Sequence, residues 1–128
     1  MQKLASIHRC IEQVRTFVAG DLDRLEDQMV QDAVVLNLQR ACEQAIDAAS
    51  RVVSLRGLGI PGDSAEAFTL LERAGLLTDA TAARMRSMVG FRNVAVHQYR
   101  MLDRVILRAV VERHLDDFNA LCRELSGS

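Results

Sequence analysis

Apolar residues recur three and four positions apart along most of this chain, and that spacing commits it to helices. Leu4, Ile7, Ile11, Val14 and Val18 form the first run, which predicts a helix to about Ala19 before the break at Gly20-Asp21. A short polar stretch from Leu22 to Asp27 leads into a long pattern from about Gln28 to Leu55. Its stripe is Val30, Val34, Leu38, Ala41, Ala45, Ala48 and Val52, with alanines small enough for close helix approach. Gly57 reads as a C-cap, and Gly57-Leu58-Gly59-Ile60-Pro61-Gly62 is the one clear loop. Asp63 or Ser64 can cap a third helix that carries Phe68 and Leu71 and ends near Gly75. Thr78 opens a fourth, with Asp79 at its positive end. Asp103 can cap the last, whose stripe is Leu107, Val111, His114, Phe118, Leu121 and Leu125.

Strands have little to feed on, with one Tyr, four Phe and no Trp, and with threonine sparse. The 128 residues fit a single domain, and 49% hydrophobic content at a net charge of −1 is no recipe for disorder. The expected fold, spanning residues 1–128, is an all-α antiparallel up-and-down bundle of four main helices plus one or two short ones. Cys10, Cys42 and Cys122 are far apart, odd in number and without a C-x-x-C pair. They read as small core residues of a reducing cytosol. The N-terminus lacks the apolar centre of a signal peptide, and no run approaches the ~20 apolar residues of a membrane span. A cytoplasmic protein is expected.

The net charge hides an uneven distribution. From Arg84 to Arg108, six arginines face one acid, Asp103, for a local charge of +5, and the rest of the chain sums to −6. Such a segment can attract phosphates. It can equally reflect a preference for arginine, since Lys3 is the sole lysine.

The fourth helix breaks its own pattern. Ala82, Met85 and Val89 lead to a position that should be apolar but holds Arg92, before Val96 resumes the stripe. A guanidinium there needs a carboxylate, a carbonyl or a phosphate. Gly90 adds a second violation, costing a helix interior ~1 kcal/mol relative to Ala. Two readings stand: a structural Arg–carboxylate pair with a helix kink, or a functional site. Asn93 and His97 share a helix face, whereas Arg92 and His97 are about 140° apart around the axis. To serve one phosphate, either the helix unwinds before His97 or a second copy of the chain completes the site.

Arg92-Asn93-Val94-Ala95-Val96-His97-Gln98-Tyr99, preceded by Met88-Val89-Gly90-Phe91, resembles the R-x4-H-x-Y signature of the HepT branch of the HEPN superfamily. The similarity extends through Gly57-Leu58-Gly59-Ile60-Pro61 and through residues 67–77, and covers about residues 30–102. It implies a metal-independent endoribonuclease toxin of a type VII toxin–antitoxin system, acting as a homodimer with the motif at the subunit interface. It further implies neutralisation by MntA, a minimal nucleotidyltransferase antitoxin that attaches AMP to the motif tyrosine, here Tyr99.

The residue types suit that reaction. His97 can serve as general acid and base, Arg92 can stabilise charge on the phosphoryl oxygens, and Asn93 can orient the histidine or the phosphate. On its own, Tyr99 reads as a helix-end residue packing its ring with its hydroxyl in water. An AMP group there would put charge and bulk beside Arg92 and its neighbours. Arg84, Arg86, Arg100, Arg104 and Arg108 are candidates for RNA backbone contacts, and with so few aromatics strong base reading is not expected. His8, His97 and His114 are dispersed, so neither metal nor other cofactor is expected. His8 should face solvent, and His114, on the last stripe, should be a core or seam residue. The rival reading is a non-catalytic dimeric module that binds a nucleotide or a nucleotidyltransferase partner.

Overall fold

The computed structural model describes residues 2–97 and 102–126. Seven helical segments and a 3-10 turn follow one another: α1 (Gln2–Val18), the turn (Leu22–Glu26), α2 (Gln28–Arg56), α3 (Ser64–Arg73), α4 (Asp79–His97), α5 (Arg104–Ala109), a π-turn (Val110–His114) and α6 (Leu115–Ser126). Among the described residues there is no strand, and the all-α expectation holds.

The ends of the helices sit where local chemistry puts them. Asp27 caps α2 by accepting from the Met29 and Val30 amides, and Gly57 closes that helix at φ 64°, a left-handed conformation natural to glycine. Asp63 caps α3 through the Glu66 amide at 2.8 Å, and Asp103 caps α5 through the Val105 amide at 2.7 Å. Thr78 accepts from the Thr81 amide ahead of α4.

Helix α2 is the centre of the molecule. Its expected stripe is buried from Val34 to Val52, but Val35, Cys42, Ile46, Ala49 and Val53 are buried too. The helix is therefore covered on two sides, by α1 on one and by α3, α4 and α6 on others. Ala41, Ala45, Ala48 and Ala49 are fully buried, which is what such crowding requires of a central helix. Phe68 of α3 and Phe118 of α6 complete the core with no exposed surface. On α4 the buried face ends at Ala95, while Val96, expected on the stripe, is 40% exposed.

The start of α4 is tied to the end of the chain. Glu124 of α6 accepts from the Thr78 amide at 2.7 Å and from the Thr81 hydroxyl. Burial alone would raise the Glu124 carboxyl, but these bonds outweigh it and hold the group below the usual carboxylate range. A depressed folded-state pKa adds stability above the unfolded value and forfeits it as pH falls through the folded one. Glu124→Gln should therefore lower stability by about 1–2 kcal/mol at neutral pH. The gap from the parent should narrow in acid below the ordinary carboxylate range. Denaturant melts at the two pH values check this, and a constant gap would mean that charge on Glu124 contributes nothing. Among the described residues no helix is long and apolar enough to cross a membrane.

Candidate active site

Helix α4 runs unbroken through Gly90 to His97, so no unwinding before the histidine occurs. Regular winding places Arg92 and His97 on different sides of the helix. Arg92 turns inward along the seam with α2, its side chain 22% exposed, and His97 stands in solvent at the helix end.

The surroundings of Arg92 are only partly matched to its charge. Its Nη1 donates to the Asn93 side-chain oxygen at 2.8 Å. Glu43 of α2 offers a carboxylate, but at 4.0 Å from Nε, beyond hydrogen-bond reach. Nε is buried and has no hydrogen-bond partner. A buried donor left unmade costs about 1–3 kcal/mol, and the fold retains it. The structural Arg–carboxylate pair that sequence reasoning allowed is thus present only as a loose one.

Asn93 is the link between the two halves of the motif. Its amide oxygen holds the Arg92 guanidinium, while its position lies one turn before His97 on the exposed face. Beneath the seam, Cys42 donates through Sγ to the Met88 carbonyl at 3.9 Å. Burial pushes its thiol up to about 12 against the opposing pull of Arg92. It is a packed thiol and not a nucleophile.

Over residues 7–125 the sequence matches the family described as ribonuclease HepT-like. The chain belongs to that family. An mRNA nuclease HepT from Shewanella oneidensis is 41% identical over 118 residues, covering 92% of this chain and 89% of that protein. A solved structure of a tri-AMPylated Shewanella oneidensis HEPN toxin in complex with MNT antitoxin is similar at TM-score 0.94 and 39% identity, covering 99% of this chain and 96% of that one. A toxin–antitoxin crystal structure with AMP-PNP is similar at TM-score 0.94 and 37% identity, over 99% and 96%.

The remaining candidates of this HepT-like chain are dispersed. Tyr99 and Arg100 lie outside the described residues. Arg86 is occupied on the α3–α4 seam, where Nη1 donates to Glu72 at 3.0 Å and to Thr69 at 3.3 Å. That bond from Arg86 is the main reason the Glu72 carboxyl sits below its ordinary range. Arg104 pairs with Glu26 at 2.9 Å and Arg108 with Asp23 at 3.0 Å, both acids of the 3-10 turn. Arg84 lies 3.8 Å from Asp117, a buried carboxylate. Much of the local charge of +5 is thereby neutralised by distant acids.

His114 is a seam residue and not a core one. The π-turn adds a residue to one helical turn, which moves the buried position to Leu115 and leaves the His114 side chain 44% exposed. Its Nδ1 lies 3.0 Å from Asp117 Oδ2. His8 is exposed, as expected. Among the described residues no three His, Cys, Asp or Glu side chains converge as metal ligands. Sequence reasoning missed Glu43, because only the packing of α2 on α4 makes that carboxylate the neighbour of Arg92.

Proposed function

We propose that this HepT-like chain is an endoribonuclease toxin that cleaves RNA without a metal ion, through Arg92, Asn93 and His97 contributed by two copies of the chain. One observation carries the reading: a half-buried arginine, under-supplied with partners and held through one nitrogen by Asn93, stands on the helix that presents His97 to solvent. A guanidinium in that condition is suited to an incoming phosphate, which satisfies its remaining donors. The mRNA nuclease activity named for the 41% identical relative supports the substrate class.

In the reaction the RNA 2′-hydroxyl attacks the adjacent phosphorus, the bond to the 5′-oxygen breaks, and a 2′,3′-cyclic phosphate and a 5′-hydroxyl result. His97 of one copy takes the 2′ proton and then returns it to the leaving 5′-oxygen, acting as base and acid in turn. Arg92 stabilises the charge that develops on the phosphoryl oxygens. A second copy suits this arrangement, since continuous winding of α4 sets Arg92 and His97 about 140° apart around the axis of one chain. The homodimer puts both motifs at one cleft.

Growth after induction of the parent chain, Arg92→Met and His97→Ala in a host without antitoxin tests the reading. Arrest by the parent alone, at equal soluble levels, is expected. Equal growth of all three would move the assignment to a non-catalytic module that binds a nucleotide or a nucleotidyltransferase.

The antitoxin partner is a minimal nucleotidyltransferase of the MntA type, and Tyr99 is the residue it modifies. The tri-AMPylated HEPN toxin, seen in complex with MNT antitoxin, supports this assignment. Incubation with that antitoxin and ATP should add AMP masses to the parent chain and none to Tyr99→Phe. Equal mass gain in both would exclude Tyr99.

A further inference from the structure

Helix α4 borders a second feature that the motif does not use. A groove of about 530 Å³ lies between it and the α5–π segment, walled by Met88, Phe91, Val94, Ile106 and Val110, with Gly90 in its lining. Its size is that of small-molecule sites, which fall at ~300–1,000 Å³ and combine apolar walls with a few placed polar groups. Here the polar groups are Ser87, Asp103 and a cluster of three, His114, Asp117 and Arg84. The same three residues line a smaller notch of about 220 Å³, whose wall also holds Arg113 and Arg123. Groove and notch therefore share a polar junction.

Three further facts say what would fit. Gly90 has no packing reason to be glycine: a Cβ built there meets nothing within 4 Å. The helix forgoes the stability an alanine would give it to keep that place empty, and what it gains is open floor for something to lie against. Next, Arg113 and Arg123 are exposed and have no ion-pair partner among the described residues, unlike Arg86, Arg104 and Arg108. The notch carboxylates are already engaged, Asp116 with Arg15 at 3.3 Å and Asp117 with Arg84 and His114. Finally, Asp117 fixes Nδ1 of His114 and leaves Nε2 to bind a ligand. Asp103, also on the groove, spends one oxygen on the α5 cap.

An apolar slot, a tethered imidazole and guanidinium groups held in no ion pair match, in sequence, a nucleotide: base, edge and phosphate. We infer that this groove and notch form a nucleotide subsite, holding a base in the groove and a phosphate on Arg113 and Arg123. The subsite rests on the ribonuclease reading for its role, which is to seat a nucleotide flanking the cleaved bond. Val94, on the groove wall, stands one helical turn before His97, which places the groove beside the motif on the same helix.

Titration of the full-length chain with adenosine and uridine 5′-monophosphates, with ribose 5-phosphate as control, tests the subsite. The nucleotides should bind at least tenfold more tightly than the sugar phosphate. Gly90→Leu fills the floor and should weaken nucleotide binding at least tenfold without lowering the melting temperature. Ile106→Glu, at a residue 51% exposed on the rim, should do the same and keeps the test available if the first variant misfolds. Arg113→Ser with Arg123→Ser should weaken both ligands. In RNA cleavage, Gly90→Leu should raise KM at least fivefold and leave kcat within twofold. Nucleotide binding unchanged in these variants overturns the subsite. So does a change in oligomeric state or in antitoxin capture with nucleotide affinity intact, which would make the groove a protein interface. The titration needs no turnover: a chain that binds nucleotides but cuts nothing sinks only the ribonuclease reading. One that cuts RNA yet binds no mononucleotide sinks only the subsite.

Discussion

Arg92→Met should abolish RNA cleavage, by roughly a thousandfold or more, while leaving the melting temperature unchanged or slightly raised. The first half follows from charge. A preorganised donor on a developing phosphoryl anion is worth about two to three orders of magnitude, and an arginine on a transferring phosphoryl group up to about five. The second half follows from the condition of the side chain. Its Nε is buried and unpartnered, its carboxylate neighbour is at the edge of ion-pair distance, and that neighbour is itself half exposed. Methionine keeps the apolar stem in the α2–α4 seam and removes the unsatisfied donor. Replacing a poorly matched buried charge by an apolar side chain of similar length is often neutral or stabilising. Cleavage rates and thermal melts on one preparation check both halves. Activity within tenfold of the parent would remove Arg92 from the chemistry. A fall of several degrees would make its role structural.

His97→Ala should lower cleavage by about two to four orders of magnitude. The residue is exposed at the last position of α4, so stability should move by less than about 0.5 kcal/mol. The informative experiment mixes the two inactive chains. If each cleft draws Arg92 and His97 from both copies, an Arg92→Met chain paired with a His97→Ala chain retains one of each, and activity returns well above that of either alone. No recovery on mixing, with mixed dimers present, would confine each site to one chain and contradict the composite cleft.

The parts of this molecule legible in the sequence are those decided by neighbours along the chain. Asp63, Thr78 and Asp103 cap helices because an oxygen two or three residues before an orphan amide suffices. Gly57 terminates α2 for an equally local reason. Arg92 was legible as an anomaly because it interrupts a stripe. What it touches was not, because Glu43 becomes its neighbour only when α2 and α4 pack. The basic segment misled in the same way: Glu72, Glu26 and Asp23 neutralise Arg86, Arg104 and Arg108 from far along the chain. Periodicity also assumes one winding throughout, so the π-turn at Val110–His114 moved His114 from the core stripe to the seam. The second apolar face of α2, with Val35, Ile46 and Val53 beside Cys42 and Ala49, went unread because a single stripe was assigned to the helix, and only packing shows that α2 is covered on two sides.

The thiol of Cys42 has a use beyond packing. It sits directly under the seam that holds Arg92, and with its pKa near 12 and almost no exposure it cannot react in the closed molecule. Alkylation therefore proceeds only through moments when α2 and α4 part, as amide exchange does for backbone groups. The chain carries its own clock for the breathing of the site, readable by mass spectrometry without any introduced label, and anything that clamps the two helices together will slow its tick.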